Sequence, residues 1–122
     1  MHVHTMNVQR GDADMGKTGM QCFTCHQTEN NEYSKVPGAP EWKLAPKEQA
    51  WVGLSVAQLC RRLKDPKSTH MTFEELNKHN AENELVAWGW KPGNGREPAP
   101  GTQKEFAANF AEWVSTGAHC PD

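Results

Sequence analysis

The chain has 122 residues, 36% of them hydrophobic and 23% charged, with a formal net charge of −2. That is room for one domain. No apolar run approaches the ~20 residues that span a bilayer, and the slightly acidic balance gives no general electrostatic case for nucleic acid. The apolar fraction also falls short of the roughly 45–50% of ordinary domains, Gly counted. A disulfide, a metal or a buried cofactor is therefore expected to supply part of the core.

Residues 1–11 are polar and mixed and lack the apolar centre of a signal peptide. They read as an N-terminal tail ahead of a domain over 12–122, with the chain a mature form or a part of something longer. The His2, His4 and Met6 cluster reads as frayed. Gly16 and Gly19 leave room only for a short helix between Asp12 and Gln21. Cys22-Phe23-Thr24-Cys25-His26 follows. Gln27 to Pro46 reads as loop. Ser55 with Gln58 forms a capping box, opening a helix whose stripe is Val56, Leu59, Cys60 and Leu63 and which stops at Asp65-Pro66. Arg61, Arg62 and Lys64 lie off that stripe, as a solvated basic face near the C-terminus.

A second capping box, Thr72 with Glu75, opens a helix carrying Phe73, Leu76, His79, Asn83 and Val86 or Ala87, which is expected to end before Gly89. Trp88 to Gly101 reads as a long irregular stretch. Thr102 with Glu105 opens a third helix, whose aromatic stripe of Phe106, Phe110 and Trp113 is expected to pack on the segment before Cys22. No strand pattern competes. The expected class is all-α, a single domain of about three to four helices with long loops.

The Cys22-x-x-Cys25-His26 spacing is that of covalent c-type haem attachment. Two thiols add across two vinyl groups of one porphyrin, and the adjoining imidazole reaches the iron. A thioredoxin-like redox pair calls for a βαβ setting, which is not visible. A structural zinc site calls for a second close ligand pair. One covalent haem is expected as the cofactor, with His26 the proximal iron ligand and its other ring nitrogen on a loop carbonyl near Pro37. His79, inward on its stripe, is the preferred distal ligand. Met71 is the alternative, although a hydrophobic staple to Leu76 also explains it. The His4/Met6 tail or an open site are further options. Met15 and Met20 lie too close to the motif, His70 reads as a loop residue, and His119 adjoins Cys120. Cys60 and Cys120 are expected to bridge, worth up to about 4 kcal/mol in the chain-entropy model.

From Met20 to Pro121 the chain resembles the small monohaem c-type cytochromes associated with isoquinoline 1-oxidoreductase, a molybdenum hydroxylase. The matching stretches include the Cys22–His26 motif, Val36-Pro37-Gly38-Ala39-Pro40 with Trp42, and Leu59-Cys60-Arg61 with Lys64-Asp65-Pro66. His79, Leu85-Val86-Ala87-Trp88-Gly89-Trp90, Gly93-Asn94-Gly95-Arg96 and Gly117-Ala118-His119-Cys120-Pro121 also match. The resemblance implies a cytochrome c-like fold around one haem, with Pro37, Trp42, Trp88, Trp90 and Arg96 in the haem pocket. It implies a periplasmic or otherwise extracytoplasmic electron carrier rather than an enzyme. The expected partners are redox proteins, a molybdenum hydroxylase or a respiratory or photosynthetic complex among them. The alternatives are a five-coordinate haem binding gases or peroxide, and a haem subunit fixed in a larger assembly.

Overall fold

A computed structural model describes His4 and residues 6–122. His2 lies outside the described residues. The elements run in the order β1 (Gly16–Lys17), β2 (Met20–Gln21), α1 (Cys22–Cys25), a 3-10 turn at Lys47–Gln49, α2 (Val56–Lys64), α3 (Pro66–Thr69), α4 (Phe73–Glu82), α5 (Glu84–Trp90) and α6 (Gln103–Ser115). Among the described residues the fold is mostly helical, with six helices, a small antiparallel hairpin and an internal disulfide. The expected all-α class of three to four helices around a haem is corrected in the helix count, the hairpin and the haem, whereas the Cys60–Cys120 bridge is present as expected.

The hairpin pairs Gly16 with Gln21 and Lys17 with Met20. Gly16 and Gly19 take φ of 91° and 88°, a left-handed region that glycine enters without steric cost. The same two residues that break a helix here close a turn instead. The strand then runs directly into α1.

Local signals set the helix ends. Ser55 Oγ accepts from Gln58 N at 3.2 Å while Gln58 Oε1 accepts from Ser55 N at 2.8 Å, capping α2. Asp65 ends α2 and caps α3 through its contact with Lys67 N at 3.0 Å, and Pro66 stands at the first position of α3, where its missing N–H costs nothing. Thr72 and Glu75 repeat the capping box on α4.

The helix expected from Thr72 to Gly89 is two. Asn83 ends α4, and its Oδ1 accepts from Leu85 N at 2.9 Å and Val86 N at 3.1 Å to start α5. An asparagine oxygen satisfies the free N–H groups of a new first turn, which favours a break over continuation. α5 carries through Gly89 to Trp90, so Trp88 and Trp90 are helical and not part of the irregular stretch.

α6 packs chiefly on α4. Phe73 meets Phe110 edge-on at 6.3 Å between ring centroids and Trp113 at 5.7 Å. That pairing, not the segment before Cys22, receives the aromatic stripe. The core is thin: Cys22, Ala39, Ala57, Ala107, Phe110 and Ala118 are its buried apolar residues. The chain exposes 9235 Å², against roughly 6,600 Å² for a folded chain of this mass.

The C-terminus is fastened to α2. Cys60 and Cys120 form a disulfide across 60 residues. Lys64 Nζ donates to the Ala118 carbonyl at 2.8 Å, and Trp113 Nε1 donates to the His119 carbonyl at 2.9 Å.

Candidate functional site

The site is built on the turn Cys22–Cys25 and the loop that wraps it. His26 N donates to the Cys22 carbonyl at 2.9 Å, closing the single turn of α1. Cys22 is buried and Cys25 exposed, and both are free thiols. A spacing of three on one helical turn sets the two side chains on the same side of it.

His26 is held on three sides. Its Nδ1 contacts the Pro37 carbonyl at 2.7 Å. A carbonyl only accepts, so the neutral ring carries its proton on Nδ1 and leaves Nε2 as the lone-pair nitrogen. Trp42 stacks on the ring, with centroids 3.8 Å apart and planes 6° from parallel. His4 approaches edge-on at 6.0 Å, and its Nδ1 is buried with no hydrogen-bond partner.

The loop Gln27–Pro46 reaches this position through Asn30 and Gly38. Asn30 Oδ1 accepts from Gly38 N at 3.0 Å. Its Nδ2 donates to the Pro92 carbonyl at 2.5 Å and the Asn94 carbonyl at 3.0 Å. Trp88 Nε1 donates to the Gly38 carbonyl at 2.8 Å. Gly38 admits no side chain, since a Cβ there would stand 2.0 Å from the Glu29 carbonyl oxygen. One asparagine and one glycine thus join the loop that carries Pro37 to the chain beyond α5.

The other predicted positions are spread across the molecule. Trp90 packs on Phe106 at 5.7 Å. Arg96 Nη2 donates to the Lys35 carbonyl at 2.6 Å, at the rim of a depression shared with Asn31 and Tyr33. His79 lies half-buried on α4 and its carbonyl accepts from Asn83 N. Met71 is half-buried ahead of α4, its backbone bonded to Thr69 Oγ1. The ring partners of His26 are instead Trp42 and His4. Sequence reasoning missed Asn30 and the stacking role of Trp42.

Among the described residues, no group of three or more His, Cys, Asp or Glu side chains converges as a metal site. The residues therefore do not fit the expected iron centre. Trp42 covers a face of His26, while the contact of His26 Nδ1 with the Pro37 carbonyl and the Cys60–Cys120 bond stand as expected and do not bear on the iron. The expectation of one c-type haem as cofactor is corrected on this finding. So are the c-type cytochrome resemblance, the cytochrome c-like fold, the one-electron carrier function and its five-coordinate and fixed-subunit alternatives. No protein family, curated protein or solved structure matches the chain. No helix among the described residues is long and apolar enough to cross a membrane.

Proposed function

We propose that the chain is a thiol–disulfide carrier working outside the cytoplasm, exchanging electron pairs with redox partner proteins and transforming no substrate of its own. The observation that carries this reading is the contrast within the cysteines. Cys22 and Cys25 are free on one turn, one buried and one exposed, while Cys60 and Cys120 are bonded. Persistent structural disulfides belong to oxidising compartments, and a close thiol pair in such a compartment is poised for exchange.

The exposure difference assigns the order. The Cys25 thiolate attacks a sulfur of a partner disulfide, forming a mixed disulfide and releasing one partner thiolate. The Cys22 thiolate then attacks Cys25 Sγ, closing the Cys22–Cys25 bond and releasing the second partner thiolate. Two electrons and, after protonation, two protons pass to the partner. The turn shares no βαβ scaffold with thioredoxins; only the chemistry is common.

The test is the mass of the protein isolated from its source with free thiols trapped by alkylation, together with a Cys22→Ser variant. The expected result is a mixture of doubly alkylated protein and an unalkylated form two hydrogens lighter than the reduced chain, whose ratio follows a glutathione redox buffer. Cys22→Ser should accumulate a mixed disulfide on Cys25. A reductant-resistant adduct on both thiols, or a Cys22→Ser variant that traps nothing, overturns the reading.

A further inference from the structure

The stretch Gly93-Asn94-Gly95-Arg96 takes no part in the thiol chemistry. Asn94 and Gly95 form an exposed turn beyond α5. Gly95 takes φ of 74°, and a Cβ built on it would meet nothing within 4 Å. A glycine leaves the peptide nitrogen after an asparagine more open to approach than any other residue does. Among the described residues, Gly95 N donates to no backbone carbonyl, and Asn94 bonds only through its own carbonyl. The Asn94 side-chain amide is thus neither held nor shielded.

The remaining asparagines are each restrained. Asn77, Asn80 and Asn109 lie inside α4 and α6, where the following N–H is bonded along the helix. Asn83 Oδ1 caps α5. Asn30 uses both ends of its amide. Asn31 Oδ1 accepts from Tyr33 N at 3.0 Å and Ser34 N at 2.9 Å. Asn7 precedes the β-branched Val8, whose N–H is bonded to the Met6 carbonyl.

We propose that Asn94 is a modification site, deamidated by its own neighbour. Gly95 N attacks Asn94 Cγ, so that an N–Cγ bond forms and the Cγ–Nδ2 bond breaks. Ammonia leaves with the proton of Gly95 N, and a cyclic succinimide remains. Water then opens the ring at either carbonyl carbon. Opening at Cγ gives aspartate at 94. Opening at the main-chain carbonyl gives isoaspartate, with the chain routed through the former side chain. The amide and a water molecule become a carboxylic acid and ammonia, with no oxidant or reductant.

The position gives this step a consequence. Asn30 Nδ2 donates to the Asn94 carbonyl at 3.0 Å, and Arg96 Nη2 donates to the Lys35 carbonyl at 2.6 Å. The two bonds bracket Gly95 and fasten the turn to the Gln27–Pro46 loop. Isoaspartate adds an atom to the main chain between them and turns the Asn94 carbonyl into a free carboxylate. The two bonds then lose their common spacing. The loop that carries Pro37, and with it the contact to His26, loosens as the chain ages. None of this depends on the thiol pair.

The test incubates the folded full chain in mildly alkaline buffer and maps its fragments by mass spectrometry over time. The expected result is replacement of an NH2 group by OH at Asn94 before any other asparagine. Part of the product should accept methyl groups from a carboxyl methyltransferase specific for isoaspartate. Gly95→Ala should slow the conversion roughly tenfold, and Asn94→Gln, which keeps the glycine, should show none at position 94. The isoaspartyl form, separated by chromatography, should be cut faster within Gln27–Pro46 than fresh protein. Conversion first at another asparagine, or a rate indifferent to Gly95→Ala, overturns the site. So does an inert folded chain when the free peptide 91–97 converts. Equal cleavage of the two forms overturns the loosening.

Discussion

The imidazole of His26 lies flat on the indole of Trp42, with centroids 3.8 Å apart and planes 6° from parallel. Stacking of this kind contributes about 1 kcal/mol beyond the area it buries. Trp42→Ala should destabilise the fold by about 2 kcal/mol, and Trp42→Phe by less. A double-mutant cycle with His26→Ala, read by urea denaturation, should return a coupling near 1 kcal/mol. A coupling of zero would mean the rings merely adjoin.

Asn30 should tolerate no change of donor pattern. Its amide nitrogen serves two carbonyls, Pro92 and Asn94, while its oxygen serves Gly38 N. Asn30→Asp keeps the oxygen but turns a carboxylate toward both carbonyls. A loss of about 2–3 kcal/mol is expected, together with faster proteolysis in the Gln27–Pro46 loop. Equal loss in Asn30→Asp and Asn30→Ala would show that shape, not donors, matters there.

The Thr72–Glu75 box makes α4 sensitive to acid. The Thr72 backbone N–H, and then its hydroxyl, hold the Glu75 carboxyl below its ordinary value. A carboxyl whose folded pKa is depressed stabilises the folded state above the ordinary carboxylate value, and that contribution disappears as pH falls through the folded value. Glu75→Gln should flatten this part of the acid dependence of the melting temperature. Thr72→Ala should cost about 1 kcal/mol at neutral pH. Parallel melting curves against pH for the wild type and Glu75→Gln would refute the assignment.

Removing the disulfide is expected to be the costliest of these changes. It closes 60 residues, and the chain-entropy model gives about 4 kcal/mol for a loop of that size. Cys60→Ser with Cys120→Ser should lower the urea midpoint accordingly, and dithiothreitol should do the same to the wild type but not to the variant. An unmoved midpoint would place the closure outside the cooperative unit.

The elements legible in the chain are those announced by adjacent residues. Ser55 with Gln58 and Thr72 with Glu75 carry their caps within four positions, and Asp65-Pro66 marks a stop that also serves as a start. The break at Asn83 was obscured because Leu76, His79 and Val86 stay in phase across it, so the apolar stripe hid a cap. The hairpin escaped because its strands are two residues long, too short for an alternating pattern. Asn30 was out of reach for another reason: its partners are backbone carbonyls more than sixty residues away, and a carbonyl leaves no trace in residue identity. The Cys22–His26 spacing was plain to read, but it left open which side chains would gather around it. The structure gathers Trp42 and His4 there, beside the Pro37 carbonyl that was expected.

The Cys60–Cys120 bond also divides the chain mechanically. Pulled by its ends, the molecule can lengthen only through residues 1–60 and the last few beyond Cys120. That is about 200 Å of slack. The segment holding α3 to α6 stays looped and carries no tension. In a single-molecule stretch the contour gain should therefore be about half that of the reduced protein. Force at the N-terminus would strip the hairpin, the thiol turn and its loop first, while leaving the Phe73–Phe110–Trp113 packing shielded from the load.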